Sequence, residues 1–146
     1  MNYEHVEILF AEDSKDDAIL TIRALTKSGF ANKLHHVKDG AEALDFIYCR
    51  GSYAARNPKE FPKLMLLDLK MPKVSGIEVL EKVKSDPLMK SVPVVMLTSS
   101  NEGPDIEKCF ALGANSYIVK PVDSDNFFKA IKEIGIYWME LSQSAH

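Results

Sequence analysis

Cysteine is scarce in this chain. There are two, Cys49 and Cys109, and no Cys-x-x-Cys pair. That excludes a disulfide framework and a thiolate metal knot, and it fits a reduced, cytoplasmic compartment. Long apolar runs are also missing. Stretches such as Leu64–Leu67 and Val92–Leu97 are strand-length, far below the ~18 residues of a membrane span. The first residues, Met1 to Glu7, are polar and lack the order of a signal peptide. Nor is there a basic excess: 18 Lys and Arg against 21 Asp and Glu leave a net charge of −3. A general nucleic-acid or anionic-membrane binder is therefore not expected. No Gly-x-Gly-x-x-Gly or P-loop pattern, internal repeat or low-complexity tract occurs.

What is present suits one α/β domain. The chain has 146 residues, 46% of them hydrophobic, enough to cover a buried sheet on both sides. Short apolar runs alternate with amphipathic stretches. Strands are expected at Val6–Ala11, Leu34–Val37, Leu64–Leu67, Val94–Leu97 and Tyr117–Val119. Helices are expected at Asp16–Lys27, Asp39–Cys49, Gly76–Ser85, Asp105–Leu112 and Ser124–Leu141. Five strand–helix pairs with continuously apolar strands predict a parallel sheet with helices on both faces. One segment interrupts the economy. Residues 50–63 carry Gly51, Pro58, Pro62, four basic residues and one acid. So long a connection reads as a solvated insertion, with a partner contact as the alternative.

In an open α/β sheet, ligands bind beyond the carboxyl ends of the strands. Glu12 and Asp13 follow the first strand, Asp68 the third, Thr98 to Ser100 the fourth, and Lys120 with Pro121 the fifth. Three carboxylates, a hydroxyl and an ammonium should therefore converge on one edge. Polar groups at buried strand ends are costly unless they pair or bind something. One lysine does not balance three acids, whereas a hard divalent cation does. Mg²⁺ takes oxygen ligands, keeps several waters, and suits one or two carboxylates plus a phosphate oxygen. Asp13 and Asp68 can supply the carboxylates, and a backbone carbonyl just past Asp68 a third ligand. Asp16 and Asp17 read more simply as acids favoured in the first turn of a helix.

These pieces resemble the receiver domain of two-component response regulators. The likeness runs from about Val6 to Leu141. It rests on Glu12-Asp13, on Asp68 to Gly76 (Asp-Leu-Lys-Met-Pro-Lys-Val-Ser-Gly), on Thr98-Ser99, and on Gly113 to Pro121 (Gly-Ala-Asn-Ser-Tyr-Ile-Val-Lys-Pro). Each piece falls at the end of the correct strand. The resemblance implies a flavodoxin-like sheet in the order 2-1-3-4-5. It implies that Asp68 is the phosphoacceptor and that Mg²⁺ sits on Asp13, Asp68 and the Lys70 backbone carbonyl, with Glu12 acting through water. Lys120 would pair with a phosphoryl oxygen, before a cis bond to Pro121, and Thr98 would hydrogen-bond another. Tyr117 falls at the family's aromatic switch position. Lys70 and Ser100 fall where the family tunes phosphoryl lifetime.

The expected partner is a histidine kinase, and the chain is not expected to be an enzyme with a separate substrate. Residues 1–146 read as a single receiver domain with no output module, so output would pass through protein contacts. In the last helix Phe127, Ile131, Ile134, Trp138 and Leu141 form one stripe, and Phe128, Ile136 and Met139 widen it. That helix is a broad core helix or a homodimer surface together with its surroundings. The insertion, this helix and the missing output module resemble the regulators paired with bacterial phytochrome kinases. His35 and His36 alternate on a strand and read as surface or edge residues. Three rivals fare worse. A haloacid-dehalogenase-type phosphatase needs Asp-x-Asp, but the third position is Lys70. A flavodoxin-like cofactor binder needs hydroxyls and amides where Glu12 and Asp13 stand. A receiver-fold interaction module that signals without phosphorylation should have lost site residues, and all are present.

Overall fold

The structure is a computed structural model and describes residues 6–29, 33–99 and 103–134. Five strands, β1 (Ile8–Ala11), β2 (Leu34–Val37), β3 (Leu64–Asp68), β4 (Val94–Thr98) and β5 (Ser116–Val119), pair in parallel in the order β2-β1-β3-β4-β5. The helices are α1 (Lys15–Lys27), α2 (Gly40–Ile47), α3 (Gly76–Ser85), α4 (Gly103–Ala111) and α5 (Ser124–Ile134). The sheet order is as the resemblance implies, and the strand–helix alternation is as the sequence predicts. The boundaries move slightly. β1 starts at Ile8 rather than Val6, α2 stops at Ile47, and α4 runs from Gly103 to Ala111. The expected continuation of α5 to Leu141 lies outside the described residues. Among the described residues no helix is long and apolar enough to cross a membrane.

Because successive strand side chains point to opposite faces, the continuous apolar runs feed two cores. Ile8, Phe10, Leu64, Leu66, Val95 and Leu97 pack with α1 and with Phe127, Ala130 and Ile131 of α5. Leu9, Ala11, Met65, Leu67, Val94 and Met96 pack on the other face with α2, α3 and Cys109 of α4. Among the described residues, α1, α2 and α3 start on side-chain caps, as does α5, where Asn126 N donates to Asp123 Oδ1. Ser14 Oγ accepts from Asp17 N, Asp39 from Glu42 N, and Ser75 Oγ from Glu78 N.

The insertion is more structured than its composition suggests. It forms a single 3₁₀ turn, Gly51–Tyr53, and then sends two side chains inward. Tyr53 is buried, and its hydroxyl donates to Glu42 Oε2 at 2.6 Å and lies 2.9 Å from His35 Nε2. Arg56 is buried with its guanidinium 3.9 Å from the centre of the Phe46 ring. Its Nη atoms donate to the carbonyls of Phe46 and Glu60. The segment is therefore bolted to α2, and only its outer residues match the solvated reading. His35 is half-buried on edge strand β2, the edge position the sequence reading allowed, and stacks on Phe46. His36 Nε2 lies 2.8 Å from the Glu12 carbonyl.

Candidate functional site

Parallel register brings the strand ends level. Ala11 pairs with Leu67, Asp68 with Leu97, and Thr98 with Val119. The residues that continue the ladder, Glu12 and Lys120, thus meet Asp68 and Thr98 at one edge. Backbone bonds lock them there. Glu12 N donates to Val37 O, Leu69 N to Leu97 O, and Lys120 N to Thr98 O. The loop after Asp68 folds under itself. Gly76 N donates to Leu69 O, and a Cβ on Gly76 would lie 2.0 Å from the Asp68 carbonyl oxygen. Only glycine permits that approach. Lys73, at φ 67°, reaches Asp39 Oδ2 at 3.6 Å and ties this loop to the start of α2. The Lys120–Pro121 bond is cis, as the resemblance implies.

The acids cluster as expected. One carboxylate oxygen each from Glu12, Asp13 and Asp68 lie within 4.8 Å of one another. Glu12 is 1% exposed and Asp68 6%, whereas Asp13 faces solvent. The Lys120 ammonium lies 2.8 Å from Glu12 Oε1 and 3.2 Å from Asp68 Oδ1. It also lies 3.0 Å from Asp17 Oδ2, on α1. Glu12 Oε2 accepts from Ser14 N.

Electrostatics follow from that crowding. Burial, then a hydrogen bond with Glu12 and the Glu12 charge, push Asp68 up to about 7, against the pull of Lys120. For Lys120, burial disfavours the charge. Hydrogen bonds to Glu12 and Asp17 and the negative charges of Asp68 and Glu12 outweigh it and hold the ammonium above its ordinary range. Three carboxylates, from Glu12, Asp17 and Asp68, thus surround one ammonium, and Asp13 completes the acid cluster beside them. A hard divalent cation fits the open side of this set, because oxygen donors of charged acids are what such cations prefer.

The other expected residues are placed as follows. Thr98 is buried at the end of β4, beside the acids in register. Lys70 is exposed on the β3–α3 loop. Ser100 lies outside the described residues. Tyr117 points away from the acids, 38% exposed, with its ring edge-on to Phe110 of α4 at 5.9 Å. Phe110, Tyr117 and Val119 leave an apolar strip exposed along α4 and β5, and Phe128 is exposed separately on α5. Asp17 has a second role beyond the sequence reading. It does stand in the first turn of α1, but its side chain also holds Lys120. The partner did not show, being 103 residues away.

Comparison with known proteins agrees with this geometry. Residues 8–132 match the family model described as the response regulator receiver domain. The bacteriophytochrome response regulator RtBRR is 48% identical, covering 90% of this chain and 78% of that one, with a TM-score of 0.83. Response regulator Rcp1 of Synechocystis sp. is 37% identical over 91% of this chain and 88% of its own length. The Mn²⁺-bound structure of Rcp1 gives a TM-score of 0.73, covering 91% of this chain and 94% of that chain. The phosphorylated cyanobacterial phytochrome response regulator RcpA is 38% identical with a TM-score of 0.74, covering 92% and 94% of the two chains.

Proposed function

We propose that this chain, which belongs to the response regulator receiver domain family, takes a phosphoryl group from the phosphohistidine of a kinase onto Asp68. The observation that carries the proposal is the Asp68 carboxylate itself. It is buried where the strands end, 3.2 Å from Lys120, within an acid cluster that one lysine does not balance. In the transfer, the P–N bond of the phosphohistidine breaks and a P–O bond to Asp68 forms. The imidazole leaves with the electron pair and takes up a proton.

Each residue has a part. Asp13, Asp68 and the Lys70 carbonyl hold Mg²⁺, with Glu12 acting through water. A bound Mg²⁺ neutralises phosphoryl oxygens. The acidic, all-oxygen donor set supports Mg²⁺, and the relative Rcp1 has been seen with Mn²⁺. Lys120 pairs with one phosphoryl oxygen and Thr98 donates its hydroxyl to another. Thr98 drawn toward the phosphoryl group leaves space into which Tyr117 turns from Phe110. That rotation rewrites the exposed strip on α4 and β5. Lys70 and Ser100 set how fast water removes the group. The chain has no separate substrate and works in the cytoplasm. The bacteriophytochrome regulators among its neighbours support a phytochrome-type kinase as donor. The exposed Phe128 and the apolar strip on α4 and β5 support a homodimer through the last helix and the surface beside it.

Incubation with acetyl phosphate and Mg²⁺, read by intact mass, tests the proposal. One phosphate adduct is expected, absent in Asp68→Asn and absent with chelator. An adduct that survives Asp68→Asn sinks it. Size-exclusion measurements on the phosphorylated and free forms then test the dimer.

A further inference from the structure

We infer that Asp17 is a positioning residue, a rival counter-ion that holds Lys120 before the phosphoryl group arrives and opposes its transfer to that group. The inference rests on the phosphoacceptor reading above and adds a residue to it.

A lysine ammonium has three N–H donors. In this structure three carboxylates lie around Lys120: Glu12 at 2.8 Å, Asp17 at 3.0 Å and Asp68 at 3.2 Å. To bind a phosphoryl oxygen, the ammonium must give up at least one of them. Glu12 and Asp68 belong to the acid cluster that a cation neutralises. Asp68 also loses its charge to the phosphoryl group when it is esterified. Asp17 stands outside that cluster, on α1, and its side chain is 40% exposed. Neither cation binding nor esterification relieves its charge. It therefore keeps its full claim on Lys120 after the other two have weakened theirs.

Asp17 is well placed to hold that claim. Its backbone N–H is fixed by the Ser14 cap, so its Cα is anchored at the first turn of α1. Lys120 is tied to β4 through its own N–H. The pair thus spans two rigid elements, and the ammonium end is only 11% exposed. A charge pair with one end buried is screened less than a surface pair. Its cost falls on phosphoryl binding and not on the cation, which does not need Lys120.

The test uses the full chain with beryllofluoride as the phosphoryl probe, titrated at saturating Mg²⁺. Mg²⁺ affinity is measured separately. Asp17→Asn should bind beryllofluoride about three- to tenfold more tightly, while Mg²⁺ affinity changes less than about threefold, given the modest size of single ion-pair couplings. Asp17→Glu, which restores the charge, should return the affinity toward the parent value. On a Lys120→Met background, Asp17→Asn should change nothing. If that background does not fold, the Glu variant decides. Unchanged or weaker beryllofluoride binding by folded Asp17→Asn overturns the inference and leaves the phosphoacceptor reading intact. A parent protein that takes neither beryllofluoride nor acetyl phosphate overturns both.

Discussion

Asp68→Asn should stabilise the metal-free protein at neutral pH, although it destroys the acceptor. Asp68 is carried from an ordinary carboxylate value of 3.8 up to about 7 by burial and by Glu12. Between those values the folded state holds a proton that the unfolded chain has released. Stability therefore falls as pH rises through that window. Below 3.8 both states are protonated and nothing is lost. Above about 7 the full cost is present. At ~1.4 kcal/mol per pH unit the ceiling is about 4 kcal/mol. Water reaching the open side of the site screens part of this, so about 1 to 3 kcal/mol is expected. The amide of asparagine has the carboxylate's shape without its charge. The variant should then melt roughly 3–10 °C higher than the parent at pH 7 in chelator. The gap should close toward pH 4, and it should shrink with saturating Mg²⁺, which relieves the same repulsion. Thermal melts in chelator at pH 4, 5.5 and 7 measure this directly. A variant less stable than the parent at pH 7, or a gap that ignores pH, refutes the reasoning.

Mg²⁺ alone should stabilise the parent by about 2.7 kcal/mol at a hundredfold excess over its dissociation constant; Asp13→Asn should lose most of that, read by thermal shift with and without chelator. Arg56→Ala should cost about 2–4 kcal/mol in urea unfolding, because it removes the contact over Phe46 and strips the carbonyls of Phe46 and Glu60 of a charged donor. Arg56→Lys should not recover it, since one ammonium cannot reproduce the fork and the stack. Gly76→Ala should be worse still, about 3 kcal/mol or more, because its Cβ would lie 2.0 Å from the Asp68 carbonyl oxygen; circular dichroism and the phosphate adduct should both be impaired.

The sheet was legible because its three central strands, β1, β3 and β4, contain uninterrupted apolar runs. Leu64 to Leu67 has no polar residue to hide, which only a doubly covered strand tolerates. The same property exposed the site. A charged residue directly after such a run, like Asp68 or Glu12, must sit where the sheet ends. Asp17 was harder. Its local context, the first turn of a helix, already explains an acid, and its tertiary partner lies across the fold. The insertion misled for a related reason. Tyr53 and Arg56 sit among Gly, Pro and Lys, so composition says solvent. Their burial depends on Phe46, Glu42 and His35, which α2 and β2 bring to meet them. Polar clasps of this kind carry no periodicity and become visible only when the elements are in place.

The site and the exposed strip share one backbone. Lys120 N is held by the Thr98 carbonyl, and Thr98 pairs in register with Val119, two residues after Tyr117. The two groups proposed to grip the phosphoryl group are therefore on adjacent strands, and one of those strands presents Tyr117 and Val119 outward. A pull on Thr98 or Lys120 is a pull on β4 and β5 themselves. Among the described residues β5 is an edge strand with α4 and α5 beside it and no sixth strand to stiffen it. On the opposite side β1 and β3 are flanked by strands and both cores, so they have little freedom to answer. Charge arriving at Asp68 is thereby directed toward the edge of the sheet where Tyr117 leans on Phe110. The same layout explains why Lys120 needs a counter-ion on α1. Asp17 ties the β5 side of the site to α1, which shares one core with α5, and removing that tie loosens the hold on Lys120.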